Sequence, residues 1–570
     1  MHLFDYSRET VSLDGEWQAI PDQYRVFEDH PIGDSLALPN APAGDRLDFD
    51  VDDGYSIRVP SNWGEELPEF RHYEGWMWHT RRFSWSADGD DGRSFLAFGA
   101  VNYEATVWLN GELLGSHEGG YTPFAFEVTD ALEAGDNVLV VRANNERRED
   151  GVPDTQTDWF NFGGVFRSVE LVPVPETFVR NYRAETTLSD GQVGVAVTAW
   201  IDGPDDESTV SVRLPELDRE AELSADGDGR YSAELSLDAD AVTLWSPADP
   251  RLYDIELECG GDTIEDRVGF REVRVRDGDV LLNGDPVWLR GVSLHEESAG
   301  SGRALRAADV DERFQWLGEL GCNFARLAHY PHSREMTRRA DEEGILLWEE
   351  VPAYWDVDFG DDDVRELYHR QLRELIQRDW NRPSVALWSV ANETDHDDET
   401  RNRVLSETVE FVRDLDDSRL VTAACFAEET DDGIEIRDPL ADSLDVIGIN
   451  EYYGWYHGDA DDMRAFQDDP DGTPVVVSET GGGAKWGNHG PADERWTEEF
   501  QAAIYRDQTD AIDGNEQIAG MTPWILFDFR SPSRQNPHQR GYNRKGLLDQ
   551  HGRKKQAFSV LREFYRDSTE

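Results

Sequence analysis

Cysteine is almost missing: Cys259, Cys322 and Cys425 are the only three in a chain of 570 residues. They are widely spaced and odd in number, which excludes a disulfide framework and a four-cysteine zinc site. Lysine is nearly as scarce. Lys485, Lys545, Lys554 and Lys555 stand among 54 basic residues, so arginine supplies the other 50. Against 119 acidic residues this leaves a formal net charge of −65, which excludes a nucleic acid or an anionic membrane surface as partner. No stretch approaches about 18 consecutive apolar residues, so no membrane-spanning helix is expected. The opening MHLFDYSRETVSLDGEW lacks the basic-then-apolar order of a signal peptide, and the expected location is cytoplasmic. There is no HExxH, no Asp/Asn-rich calcium loop and no glycine-rich phosphate loop after a strand, and His329 and His332 are spaced only as HxxH. Neither a metal nor a cofactor is expected.

Acid and tryptophan are what the chain has in quantity. Apolar residues make up 38% and aromatics 11%, with 19 Trp, enough for the cores of two to four domains. A large acid excess with little lysine is the composition of a protein from a salt-saturated cytoplasm. In dilute buffer such a charge repels itself and weakens the fold. At molar salt the Debye length falls to about 3 Å and the repulsion is screened.

Three textures follow one another. Residues 1–177 read as short strands separated by turn residues, for example SFLAFGAV (94–101), EATVWLNGELLG (104–115) and DNVLVVRAN (136–144). Asn110-Gly111 sits between alternating runs, a type I′ hairpin signal, and an antiparallel β-sandwich is predicted. Residues 178–273 repeat the style at smaller scale, with GQVGVAVTAWI, STVSVRLPE, RYSAELSL and LYDIELEC alternating. This predicts an immunoglobulin-like sandwich serving as spacer or binding module.

From 274 to 570 buried-looking strands alternate with helical patterns. The strands are 287–295, 324–329, 345–351, 385–393, 420–425, 445–452, 474–480 and 521–529, and the helices are 309–320, 333–343, 362–378, 398–414, 492–512 and 554–567. Eight strands with crossover helices predict a (β/α)8 TIM barrel, with weak helix signal at the fifth and sixth crossovers. An open doubly wound sheet is the competing architecture.

A barrel places its site at the C-terminal ends of the strands. The polar residues there are His295, Glu296, His329, Glu349, Glu350, Asn392, Glu393, Asn450, Glu451, Glu479 and Asp528, interleaved with Trp348, Trp355, Tyr452, Tyr453, Trp455, Tyr456 and Trp524. Sugar rings pack their C–H faces on aromatic planes and offer hydroxyls to acceptors. Cleaving a glycosidic bond needs one carboxylic acid to protonate the leaving oxygen and a second carboxylate to attack or to activate water. Any single strand-end Glu more often pairs with an Arg or caps a helix, so the argument rests on an opposed pair. A carboxylate metal site and a non-catalytic carbohydrate-binding protein are the alternatives from other classes.

The run LWSVANE (387–393) ends the fourth strand in Asn-Glu, and VVVSETGG (475–482) carries a Glu at the seventh. These resemble the retaining-glycosidase clan that places its acid/base on strand four and its nucleophile on strand seven. More narrowly, LDGEW (13–17), VWLNGELLGSHEGGYTPF (107–124) and FNFGGVFRSVEL (160–171) resemble the N-terminal jelly-roll domain of glycoside hydrolase family 2, the family of β-galactosidases, β-mannosidases and β-glucuronidases. LNGDPVWLRGVSLHEE (282–297), GCNFARLAHYPHS (321–333) and ADEEGILLWEEVP (340–352) resemble its barrel entry, so the resemblance covers essentially the whole chain. GGYTPF, DWFNFGG, NEYYGWY and NRKG are similar to the β-glucuronidase branch.

That resemblance implies a jelly roll over 1–177, an immunoglobulin-like domain over 178–273 and a catalytic barrel over 274–570. It implies Glu393 as acid/base and Glu479 as nucleophile, with Asn392 on the sugar's 2-hydroxyl. His329 and Asp158 match positions that touch substrate hydroxyls, and Asn450, Tyr452, Tyr456 and Trp524 match pocket lining. Asn543 and Lys545 match the element that holds a uronate carboxylate, and Arg540 is close to an Arg that the branch carries just before it. A homo-oligomer acting on a small glycoside is expected. β-Galactosidase and β-galacturonidase activity remain alternatives, because the loop 531–549 also resembles relatives of other specificity. Lys545 has independent support: a chain that writes Arg almost everywhere keeps a Lys there, and a compact ammonium suits a carboxylate in a tight pocket.

The charge yields a test of its own. Thermal unfolding followed from dilute buffer to about 1 M KCl should show the midpoint rising with salt. A midpoint that does not move would contradict the salt-adapted reading.

Overall fold

The computed structural model describes residues 2–4, 7–25, 54–86, 92–189, 191–204, 209–430, 433–466, 472–513 and 515–567. Its N-terminal part is two antiparallel sheets face to face. One runs Val11–Ser12, Val169–Pro175, Gly92–Phe98, Phe124–Glu127; the other runs Tyr55–Val59, Gly15–Asp22, Trp76–Trp85, Gly135–Asn144, Glu104–Leu109, Glu112–Glu118. The Asn110-Gly111 turn joins the last two strands with φ of 52° and 85°, the positive values a type I′ turn requires. Between the sheets lie Trp17, Trp63, Leu96, Phe98, Val107 and Val141.

The middle part is a seven-stranded sandwich with period-two burial. Ile255, Leu257 and Ile264 point inward from Tyr253–Cys259 and Asp262–Val268. Strand Arg219–Gly227 changes partner midway. Residues 219–223 pair with Val210–Leu214, and 224–227 pair with Arg230–Asp238, so one strand serves both layers.

The C-terminal part is the barrel. Its strands Phe324–Leu327, Leu346–Glu350, Val385–Asn392, Leu420–Thr430, Val446–Asn450, Val475–Glu479 and Ile518–Met521 pair in parallel in that order. The first strand is broken in two: Leu289–Arg290 pairs with the eighth strand and Ser293–Leu294 with the second. Two residues separate the pieces, so this strand closes the barrel. Helices Ala307–Leu320, Arg334–Glu343, Asp362–Asp379, Glu399–Leu415, Glu498–Asp513 and Gln556–Asp567 surround it. Asp361 accepts hydrogen bonds from the N–H groups of Asp363 and Val364 at the third helix, and Gly321 and Gly344 end the first two in the left-handed conformation. No helix among the described residues is long and apolar enough to cross a membrane.

The weak helix signal at the fifth and sixth crossovers corresponds to short elements there, and two further details differ from the sequence reading. The fifth crossover is a hairpin with Gly433–Ile436 and the short helix Pro439–Ser443, and the sixth is the short helix Ala460–Ala465. The helix predicted over 492–512 begins six residues early, since no helix forms before Glu498. The eighth strand is Ile518–Met521 rather than 521–529, so Pro523 belongs to the long connection that leads from this strand to the last helix, Gln556–Asp567. The apolar run WILF misled because it is buried as a loop: Ile525 and Leu526 are fully covered without being sheet.

Candidate active site

Barrel strands covered on both faces must be apolar throughout, and a polar residue inside one needs polar partners. The second strand, Phe324–Leu327, is wholly buried and contains Arg326. Its guanidinium donates to both oxygens of Glu350 (3.1 and 3.0 Å), to Glu479 Oε1 (3.0 Å), to Asn392 Oδ1 (2.7 Å) and to the Ser478 carbonyl (3.2 Å). One side chain thereby ties together the ends of the third, fourth and seventh strands.

The hub fixes its neighbours. An arginine cannot accept, so the Asn392 atom facing it must be the carbonyl oxygen. Asn450 Nδ2 donates to the same oxygen at 3.1 Å, and Asn392 Nδ2 is buried with no partner. Glu350 Oε1 also lies 2.8 Å from His329 Nδ1, which places the imidazole proton on Nδ1 and leaves Nε2 facing Glu479 Oε1 at 3.7 Å. Burial pushes the Glu350 carboxyl up, but Arg326 and His329 outweigh it and hold it at about 2. His329 stacks on Trp524 (4.7 Å) and packs on Tyr354 (4.8 Å) and Trp159 (5.7 Å).

Glu479 ends the seventh strand and is 5% exposed. Its Oε2 accepts from the Tyr452 hydroxyl at 2.6 Å. Glu393 follows the fourth strand in a left-handed conformation, φ 50°, and its backbone N–H donates to Ala424. Its Oε2 accepts from Trp355 Nε1 at 2.8 Å. Burial and then the Glu479 charge raise the Glu393 carboxyl, against the Trp355 and Asn450 hydrogen bonds and His329, which lower it.

A second cluster adjoins the first. Lys545 is 4% exposed, lies 4.4 Å from the Tyr452 ring centre and donates to the Tyr456 hydroxyl at 2.7 Å. Arg534 Nη1 donates to the same hydroxyl at 3.1 Å. Arg534 also grips Asp158 with two hydrogen bonds (2.9 and 2.6 Å), and Asp158 accepts in addition from Ser531 Oγ (2.6 Å) and Asn543 Nδ2 (3.0 Å). Asn543 Oδ1 in turn accepts from the Lys545 backbone N–H. Glu479, Tyr452, Lys545, Tyr456, Arg534 and Asp158 therefore form one continuous line of contacts from the barrel to the N-terminal sandwich.

All eleven residues singled out in the sequence fall in these two clusters. Three others were passed over or seen only as part of a ring. Arg326 looks like an ordinary strand residue, Trp355 like one rim aromatic among several, and Arg534 is hidden in SPSRQ. Arg540, the sequence candidate beside Asn543, is exposed and donates to the Pro537 carbonyl instead.

The expected ring of mouth carboxylates also thins. Glu296 is bound to Arg167 and to the Ser333 N–H, and Glu451 to the Tyr453 N–H. Burial, and next the Asp379 charge, push Glu349 well above the usual range. Asp528 sits beneath the loop with Lys555, Arg544 and the Gly546 N–H. His295 lies behind Trp524, its imidazole kept neutral by burial.

Once these are set aside, together with Glu350, which Arg326 and His329 occupy, two carboxyl groups remain in an aromatic-walled site. One is raised, and the other is gripped by a guanidinium and a phenol. Glycosidic-bond cleavage asks for such a division of labour, and with the strand-end placement in a barrel it defines a glycoside hydrolase. Family comparison is more specific. The TIM barrel domain of glycosyl hydrolases family 2 matches residues 273–568, the family's sugar binding domain 11–175, and a further family 2 domain 177–271. The chain belongs to glycosyl hydrolases family 2. It is 28% identical over 558 residues to a β-glucuronidase of Streptococcus agalactiae serotype V, covering 89% of this chain and 90% of the relative. Among solved structures, a β-glucuronidase of an uncultured Clostridium sp. superposes with a TM-score of 0.86 at 26% identity, over 100% of this chain and 99% of that one. A β-galacturonidase from Eisenbergiella tayi bound to galacturonate superposes with a TM-score of 0.84 at 26% identity, over 98% and 97%.

The hub is testable by stability. Arg326→Met leaves Glu350 and Glu479 buried without their cation and should cost about 3–5 kcal/mol in urea unfolding. Glu350 is held at about 2 against an ordinary 4.5. Its contribution is therefore whole above pH ~4.5 and is lost as pH falls through ~2, an acid-side slope the variant should lack. An unchanged midpoint and an unchanged slope would contradict the hub.

Proposed function

We propose that the chain is a retaining exo-β-glycosidase that removes terminal β-linked glucuronate by double displacement. Glu479 attacks the anomeric carbon while Glu393 gives its proton to the departing aglycone oxygen, forming a glycosyl ester. Glu393, now a base, takes a proton from water, which displaces Glu479 and releases the sugar with its configuration retained. The raised Glu393 carboxyl suits the acid role, and the clamp of Arg326 and Tyr452 on Glu479 suits a fixed attacking oxygen. The unpartnered Asn392 N–H is a donor for the 2-hydroxyl, His329 Nε2 reaches a neighbouring hydroxyl, and Trp524 gives the ring a face.

The observation that carries the sugar is the convergence of two cations, Lys545 and Arg534, on the Tyr456 hydroxyl. A uronate carboxylate entering there would gain two charge-assisted partners, with the Asn543 side chain beside them. Asp158 already accepts from four donors, so it acts on the substrate through Arg534 rather than by its own oxygens. At molar salt the protein's acidic surface exerts no long-range repulsion on an anionic substrate. A β-galacturonide, the ligand class of one structural relative, would use the same cations, and the C4 epimer distinguishes it.

A panel of aryl β-glycosides in high salt tests this. Glucuronide should be preferred over galactoside and glucoside. Glu479→Ala should abolish turnover of every substrate, whereas Glu393→Ala should lose least on good leaving groups, which need no proton. Lys545→Ala should lose about 30- to several-thousand-fold in kcat/KM on glucuronide, since truncating one partner of a buried ion pair costs roughly 2–5 kcal/mol. Any neutral-sugar activity should be spared. A wild type preferring galactoside, with that preference unchanged in Lys545→Ala, would overturn the glucuronidase reading.

A further inference from the structure

Beyond the third strand the chain turns through Val351 to Trp355 and docks on the end of the fourth strand. The Asn392 N–H donates to the Ala353 carbonyl at 2.9 Å, and the Trp355 N–H donates to the Asn392 carbonyl at 3.2 Å. Trp355 then takes a left-handed conformation, φ 55°, and Glu393, next after Asn392, takes φ 50°. A bulky side chain at positive φ is a genuine outlier, and such strain persists only where the surroundings over-determine it. Here two strained residues lie side by side, and their side chains are joined by the 2.8 Å hydrogen bond from the indole to Glu393 Oε2. The Trp355 ring is stacked on Tyr354 at 4.4 Å, and Tyr354 is packed in turn on Trp159 at 4.9 Å. Trp355 cannot swing away without disturbing this aromatic column.

An indole N–H donates and never accepts. The carbonyl oxygen is the stronger acceptor of a carboxylic acid, so with Glu393 protonated the indole N–H favours the carbonyl oxygen at Oε2 and the proton on Oε1. We infer that Trp355 is the positioning residue of the acid/base, selecting the oxygen of Glu393 that carries the proton to the leaving group. The inference rests on the reading of Glu393 given above. In the second half of the cycle the same N–H stabilises the carboxylate that takes the proton from water. The charged or titratable groups around Glu393 are Glu479, His329, Tyr354 and Tyr452, and none is supplied by Trp355, so removing its N–H isolates one contribution.

Trp355→Phe keeps a ring on Tyr354 and removes only the donor; Trp355→Leu replaces it if the Phe variant does not fold. Phenyl glucuronide, with a poor leaving group, should lose about 10- to 100-fold in kcat/KM, and 2,4-dinitrophenyl glucuronide no more than about threefold. Loss of a donor to the carboxylate destabilises the charged form, so the alkaline limb of the kcat/KM profile should move up by about half a unit to one unit. Trp355→His, which retains a ring N–H, should recover part of both effects. Equal loss on both substrates with an unmoved alkaline limb would reduce Trp355 to packing and overturn the inference. Glu393→Ala run alongside separates the two claims. If it shows leaving-group dependence and the Trp355 variants do not, the inference alone fails; if neither does, the assignment of Glu393 fails first.

Discussion

A guanidinium buried inside a barrel cannot remain unless its donors are met, and every partner it recruits is then held in place. Arg326 recruits Glu350, Glu479, Asn392 and a strand carbonyl. Taking a charge out of water is expensive, and opposite charge with well-aligned hydrogen bonds is what offsets it. The geometry that satisfies the arginine is also the geometry of the site: one oxygen of Glu479 fixed, the Asn392 amide turned so that its N–H is free, and His329 set in one tautomer through Glu350. The three strand ends are held by one cation, so displacement of any of them is resisted by the other two.

The two sandwiches contribute unequally. The middle one meets the barrel through the buried Tyr182–Asp266–Arg382–Asp341 chain. None of the residues singled out for the site comes from it, in keeping with a spacer. The N-terminal sandwich supplies Asp158 and Trp159 to the site itself. Asp158 anchors the loop after the eighth strand through Ser531, Arg534 and Asn543, and so sets the height at which Lys545 and Arg534 stand over Tyr456. The proposed uronate cations therefore depend on how two domains are docked, whereas Glu479 is held by barrel residues, and Glu393 leans through Trp355 and Tyr354 on Trp159 of the sandwich.

Much of this was legible in the sequence because strong local signals coincide with the fold. The Asn-Gly turn, the alternating strands of the sandwiches, and most of the barrel helices appear where turn residues and periodicity put them. Strand-end logic also located Glu393 and Glu479. Arg326 was not legible, since an arginine in FARL reads as a surface residue of a half-buried strand until both faces are known to be covered. Trp355 gave only a composition signal, because its importance lies in a backbone conformation and a partner 38 residues away. Arg540 was noted for its proximity to Asn543 in the chain and Arg534 was not considered, whereas the loop folds back and brings the more distant arginine to the site. The eighth strand was misplaced because an apolar run buried as loop has the same composition as one buried as sheet.

The claim on which the account depends is that the carboxylate held by Arg326 is the atom donor that attacks the sugar. A 2-deoxy-2-fluoro-β-glucuronosyl fluoride tests it directly. Fluorine at C2 slows both steps by disfavouring the oxocarbenium-like transition states, while the fluoride leaving group keeps the first step fast enough for the ester to accumulate. After incubation in high salt, digestion and mass spectrometry, the account predicts one fluoroglycosyl unit on the peptide spanning Val475–Thr480, at Glu479. A stable adduct on any other carboxylate, or none from an enzyme that turns over aryl glucuronide, would contradict it.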